Sequence, residues 1–429
     1  MKDSLNTLTA TEVAQKIAAG ELSAEGLVRS CLDQVNKREQ TIGAWEYIDT
    51  DTVIAEAKQR DSEQPRGPLH GIPVGIKDII DTADMPTRLG SPIYAKNQPD
   101  ADAACVAAIR SAGAIIMGKT VTTEFATFTP GKTVNPHNIM HTPGGSSSGS
   151  AAAVADFMVP VAYGTQTSGS VIRPSSFCGL CGFKPSFGAV SRQGVLTIVP
   201  SFDCVGYMAR CFDDISLTHR VVTGKQTLPL NDGLDRTPHI GICRSHQWSQ
   251  ADPASTEALE VAAQRVAELG AKTENIALPA HFSGLEAAHA TIMDVALAQS
   301  LKREFDEHHD LLSDRLLERM ERGIATSTNK FMEALALAAR CRTEITPLLA
   351  NWDGFLTPSA VGEAPKGFKI TGVPTFNLVW TLLHLPCITV PGFTGSSGLP
   401  VGVQIVAGLG GDLSLLALGK WLHTRLIDS

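Results

Sequence analysis

Apolar residues recur along this chain at two alternating periods, one helical and one strand-like, and that alternation predicts an α/β fold. Near the start, Thr9 and Glu12 form a capping-box pair ahead of a helical stretch and Gly20 supplies a stop. Leu27, Val28, Cys31, Leu32 and Val35 then continue at helical spacing, so the chain opens with two helices. Across 45–117 short apolar runs alternate with helical ones: a strand at 72–76, a helix at 102–111 and a strand at 114–117. A Gly/Ser-rich turn at 144–150 feeds a small-residue helix at 151–155, and an apolar run at 159–164 leads into a second Ser/Gly turn.

Residues 221–350 differ in kind. A turn-rich opening at 223–238 gives way to charged amphipathic helices, with one long helix expected at 301–322, and the segment reads as a variable helical insertion or cap. Strand-like runs at 388–390 and 401–406 resume the sheet. The expectation is therefore one domain over 1–429, its core split between about 1–220 and 351–429, with no linker and no internal repeat. The stretch 370–411 carries no charge, but Pro374, Pro386, Pro391 and Pro400 interrupt it, so it reads as buried strands and not as a membrane span.

Composition narrows the function classes. The 429 residues are 43% apolar and 19% charged with a mean hydropathy of +0.04, ample for a large core and unlike a disordered or fibrous chain. The net charge of −8, with no run of like charges, argues against nucleic acid or anionic lipid as a partner. The first ten residues resemble neither a secretory nor a transit signal, and nine scattered cysteines fit free thiols in a reducing cytoplasm. Cys178 and Cys181 form a lone CxxC without a second pair, so neither zinc nor any other metal or cofactor is expected.

Three motifs invite a different chemistry. Gly113 to Thr120 spells GxxxxGKT, but the residues between the glycines form an apolar strand where a phosphate cradle needs a loop. Gly145-Ser146-Ser147-Ser148-Gly149 spells GxSxG, which would make Ser147 an esterase nucleophile with His384 or His423 as base; Thr142-Pro143-Gly144 stands where a strand must lead in. Glu307-His308-His309-Asp310 reads as a solvated face, because adjacent helical residues point about 100° apart.

A more coherent constellation remains. Lys77 ends an apolar strand in Gly71-Ile-Pro-Val-Gly-Ile-Lys77-Asp78, where burial disfavours the ammonium and yields an amine able to accept a proton; snorkelling or pairing with Asp78 is the alternative. The two Ser/Gly turns supply hydroxyls and flexible backbone, and a lysine relayed through one serine suffices to activate another. Glycine ahead of such a nucleophile lets backbone N–H groups converge as an oxyanion hole.

At these residues the sequence resembles the amidase signature family, which carries a GGSSxGS turn, a later serine nucleophile and a lysine in G-I-P-x-x-x-K-D. Gly118-Lys119-Thr120, Asn135-Pro136, Ser201-Phe202-Asp203, Leu385-Pro386 and Gly398-Leu399-Pro400-Val401-Gly402 extend the likeness over most of the chain except 221–350. The resemblance implies an α/β fold with a mixed β-sheet covered by helices on both faces. It implies Ser170 as nucleophile, Ser146 as bridging serine after a cis bond, Lys77 as base and acid, and an oxyanion hole of Thr167, Ser168, Gly169 and Ser170 N–H groups. The second turn departs from the family pattern: Gln166 replaces an Asp, Ser168 replaces a Gly, and Arg173 lies three residues past Ser170, not two. That arginine, Ser148 and the Gly75 to Thr82 phrase look like the malonamidase branch, which would have Arg173 grip a substrate carboxylate; pairing with Asp203 is the competing role.

The leading expectation is a stand-alone amidase taking a small amide, carboxylated or carbamate-like, to acid plus ammonia or amine, with a homodimer as its only protein association. The alternative is the glutaminase-type subunit of an amidotransferase built from several subunits.

Overall fold

The computed structural model describes residues 4–225, 234 and 236–427. Its opening follows the local signals. Thr9 caps helix Ala10–Ala18 by accepting the Glu12 N–H, and Glu12 reciprocates on the Thr9 N–H at 2.8 Å. Helix Ala24–Ile42 buries Leu27, Val28, Cys31, Leu32 and Val35 along one stripe.

The apolar runs become strands β1 (Trp45–Tyr47), β2 (Pro73–Lys77), β3 (Ile115–Thr120), β4 (Val161–Gln166), β5 (Cys181–Lys184) and β6 (Cys204–Ala209). They continue as β7 (His239–Cys243), β8 (Lys272–Ile276), β9 (Gly354–Pro358), β10 (Cys387–Thr394) and β11 (Pro400–Val406). All lie in one sheet, in the order β1-β3-β2-β4-β6-β5-β10-β11-β9-β7-β8. Strand β2 runs parallel to both β3 and β4, while β4, β6, β5, β10, β11 and β9 pair antiparallel in turn. The result is the expected mixed sheet with helices on both faces. Because β2 and β4 are parallel neighbours, their carboxyl ends lie side by side, the position from which open α/β sheets present functional groups.

The segment 221–350, expected to be a variable helical insertion or cap, also carries two strands. Strands β7 and β8, joined by helix Pro253–Glu268, extend the sheet beyond β9, and β7 is parallel to both neighbours. The expected continuous helix at 301–322 is also broken, into Lys302–Glu307 and Asp314–Ala325. Ser313 separates the two because its N–H and hydroxyl bond the buried Glu124 carboxylate and its hydroxyl meets Thr129 at 2.7 Å, a tertiary tie that competes with the helix. The turn-rich opening at 223–238 falls largely outside the described residues. The uncharged stretch at 370–411 supplies the buried helix Leu378–Leu382 with β10 and β11, and no described helix is long and apolar enough to cross a membrane.

Helix Ser148–Ala155 packs on β2, β3 and β4 so closely that a Cβ on Gly149 would stand 2.2 Å from Ala44 O and 2.3 Å from Val121 N. Gly149→Ala is therefore expected to lower stability by about 1–3 kcal/mol. Chemical denaturation checks this through a reduced midpoint at unchanged slope.

Candidate active site

Lys77 ends β2 and is fully buried because strands flank it on both sides. Its Nζ lies 2.7 Å from Ser146 Oγ and 2.8 Å from Thr165 Oγ1 on β4. No carboxylate comes within ion-pair distance of that amine among the described residues. Burial drives its pKa well below the usual lysine value, and the field of Asp203 only partly opposes this. The alternative pairing with Asp78 is not made. Asp78 belongs instead to Lys119, at 3.6 Å, and Lys119 also donates to Thr87 Oγ1 at 2.6 Å. Burial holds Lys119 at about 8 and Asp78 at about 6, each partly countered by the other's charge. The lysine of the GxxxxGKT lookalike thus anchors the residue after Lys77, within strand β3.

The Gly145–Ser146 bond is cis, and Ser146 is buried ahead of helix Ser148–Ala155. Ser147 spends its hydroxyl on strand β4, accepting from Thr165 N at 3.2 Å and donating to Thr165 O at 3.3 Å. The proposed esterase partner His384 lies on Ser201 O at 2.7 Å and stacks on Phe187, and His423 packs edge-on to Phe212. Ser147 is therefore a structural tie in this fold.

The second turn is gripped from several sides. Gln166, the departure from the family's Asp, accepts the N–H groups of Val171 and Ile172 at 2.9 and 3.0 Å and donates to Thr381 Oγ1 at 3.0 Å. Thr167 donates to Asp203 Oδ1 at 2.6 Å, while Asp203 Oδ2 accepts from Ile198 and Val199 N. Burial raises Asp203 to about 6 against these bonds. A Cβ on Gly169 would lie 2.5 Å from Asn377 Oδ1, so only glycine fits there. The N–H groups of Thr167, Ser168, Gly169 and Ser170 donate to nothing among the described residues, and of the four residues Gly169 and Ser170 are buried while Thr167 and Ser168 are partly exposed.

Ser170 is 7% exposed and opens, with Thr167 and Ser168, onto a cavity of about 230 Å³. No hydrogen bond joins Ser170 Oγ to Ser146 in this structure, so of the two links expected in a Lys77–Ser146–Ser170 relay the first is formed. Catalytic contacts in unliganded sites are often longer than in the reacting complex.

Arg173 also lines the cavity. It donates from Nη2 to Gly145 O at 2.7 Å and from Nε to Thr371 O at 2.9 Å, while Nη1 is buried without a partner. Pairing with Asp203, the competing expectation, does not occur. Burial lowers its pKa to about 10, and no carboxylate among the described residues pairs with it.

Sequence reasoning missed the opposite wall. Glu286, His289, Arg315 and Arg319 from 221–350 line the same cavity, and no motif marks them. Thr165, the second partner of Lys77, stands at the start of the second Ser/Gly turn, where its residue type alone gives no sign of that contact. Among the described residues no three His, Cys, Asp or Glu side chains cluster as metal ligands.

Comparison with known proteins places this site in context. The amidase family profile matches residues 26–416. A glutamyl-tRNA(Gln) amidotransferase subunit from Chloroflexus aggregans (strain MD-66 / DSM 9485) is 30% identical over 99% of this chain and 99% of its own. The subunit of the same name from Lawsonia intracellularis (strain PHE/MN1-00) is 29% identical over 98% of this chain and 97% of its own. A crystal structure described as an amidase superimposes with a TM-score of 0.90 at 27% identity, covering 97% of this chain and 100% of that one. The two subunits overturn the expectation that the partners are a small-molecule amide and at most a second copy of the chain, because each is by name one component of an amidotransferase. By the match along most of its length, this chain belongs to the amidase family, enzymes acting on carbon–nitrogen bonds.

Proposed function

We propose that Ser170 is the nucleophile of an amide-cleaving reaction, that Ser146 passes protons between it and Lys77, and that the chain releases ammonia as the glutaminase-type subunit of an amidotransferase built from several subunits. The observation that carries the chemistry is the buried Lys77 amine, 2.7 Å from Ser146 Oγ and without a carboxylate partner. A neutral amine there takes the Ser146 proton as Ser146 takes that of Ser170, and Ser170 Oγ attacks the amide carbon. The N–H groups of Thr167, Ser168, Gly169 and Ser170 receive the oxyanion. The relay returns the proton to the leaving nitrogen, the C–N bond breaks, and water deacylates Ser170 by the same route.

The subunit reading is supported by the names of the two relatives above, and protein partners follow from it. Arg173 supplies substrate choice: it lines the cavity and its guanidinium keeps one nitrogen, the buried Nη1, without a partner, which suits a carboxylate, either that of an amino-acid amide such as glutamine or that of a half-amide of a small diacid. A second reading, a hydrolase working alone on such half-amides in the manner of malonamidases, is favoured by Arg173 and by the likeness to a solved amidase. The nine free cysteines support a reducing cytoplasmic compartment for either.

Ammonia release from glutamine, malonamate and uncharged amides, measured with the pure chain and again with the remaining amidotransferase subunits and ATP, separates the two readings. Turnover that rises only in the assembly is expected; equal turnover by the isolated chain on a half-amide supports the second reading. Ser170→Ala is expected to lower kcat by about a thousandfold or more and Lys77→Ala by about 10²–10⁴. Ser147→Ala is expected to stay within about tenfold of the unaltered chain. Because the relay needs the neutral amine, kcat/KM is expected to rise with pH and level off well below the ordinary lysine value. A flat profile contradicts the role of Lys77. Arg173→Gln is expected to raise KM for carboxylated amides about tenfold or more while changing uncharged analogues far less, as a paired substrate series measures.

A further inference from the structure

Three carbonyls in the second turn are anchored in succession. Arg173 N donates to Gly169 O at 2.9 Å, Thr381 Oγ1 donates to Ser168 O at 3.1 Å, and His289 Nε2 lies 3.2 Å from Thr167 O. A peptide unit is planar and its C=O and N–H point oppositely, so holding those carbonyls aims the N–H groups of Ser170, Gly169 and Ser168. These are N–H groups that donate to nothing else among the described residues. Two anchors come from the two core segments, Arg173 in the first and Thr381 in the second; the third comes from helix Leu285–Ser300, inside the segment where no motif is readable.

His289 is 3% exposed, and its ring lies 4.9 Å from that of Phe202 at 33°, which fixes its plane. Thr167 O can only accept, so Nε2 carries the ring hydrogen. The hydroxyl of Ser168, the residue standing where the family pattern has glycine, lies 3.3 Å from Nε2 and 3.9 Å from Met293 Sδ, so it accepts from the ring and donates to the sulfur. Burial and the charge of Arg319 keep the imidazole neutral, lowering its pKa to about 4 although the bond to Thr167 O opposes this. The ring therefore bears a single N–H at neutral pH, directed at the turn.

We propose that His289 is a positioning residue for the oxyanion hole: its Nε2–H, steadied by Ser168 Oγ, holds the Thr167 carbonyl and thereby aims the Ser168 N–H. The inference rests on the reading of Ser170 as nucleophile. In this arrangement the 221–350 segment supplies part of the catalytic geometry as well as a wall of the cavity.

Inactivation by phenylmethanesulfonyl fluoride tests this, since Ser170 Oγ displaces fluoride at sulfur and a sulfonyl oxygen takes the oxyanion position. His289→Gln, whose amide N–H can reach Thr167 O, is expected to keep the limiting inactivation rate within about threefold. His289→Leu is expected to lose about ten- to a hundredfold in that rate at unchanged half-saturating concentration. If the Leu variant does not fold, His289→Asn, too short to reach Thr167 O, carries the same expectation. Equal limiting rates in the unaltered chain and the Leu or Asn variant overturn the inference, as do equal losses in the Gln and Leu variants. Peptide mapping keeps the parent reading separate: an adduct absent from Ser170 in the unaltered chain removes the nucleophile assignment itself.

Discussion

The site depends on an amine held inside the protein without a counter-charge. Lys77 Nζ meets two hydroxyls, Ser146 and Thr165, and no carboxylate among the described residues, so desolvation of the ammonium acts on it almost unopposed. Lys119 shows the contrast within the same sheet. It is as deeply buried, but Asp78 stands 3.6 Å away and its pKa falls only to about 8. Two adjacent strands thus hold one lysine paired for structure and one unpaired, available as a base. The sheet makes this possible because β2 is flanked by β3 and β4 and admits no water to its final side chain.

Around that amine the fold arranges complementary charge. Among the described residues the turn after β4 leaves four N–H groups without an acceptor, and Arg173, which lines the same cavity, keeps a buried Nη1 without a partner. An anionic acyl group and a developing oxyanion would each find a donor there. The cavity wall opposite, carrying Glu286, His289, Arg315 and Arg319, belongs to the segment that varies in kind from the rest of the chain. The proposed catalytic groups come from the core, and part of the cavity wall comes from 221–350.

How much of this could be read beforehand follows from where the information lies. The burial of Lys77 was legible from its place at the end of an apolar strand, whereas the roles expected of Ser146, Ser170 and Arg173 came from the resemblance to the amidase signature family. The structure brings Lys77 and Ser146 together and leaves Ser170 unbonded at the cavity. Strand β8 was not legible. Its residues Lys272–Ile276 are mostly polar and exposed, and it is a strand only because β7 offers a parallel edge. The break near Ser313 was hidden likewise, since the carboxylate that disrupts the helix is Glu124, far away in sequence. No motif marks His289, and only the packing of its helix against the second turn gives it a partner.

In the proposed relay, proton transfer turns on the charge of Lys77 in the resting enzyme. Nitrogen-15 NMR of lysine-labelled protein observes this directly, with the Lys77 resonance assigned by its loss in Lys77→Met. A base poised as described gives a neutral-amine signal for Lys77 at about pH 9, below the ordinary lysine value. An ammonium signal that persists at Lys77 until pH exceeds that value would contradict it.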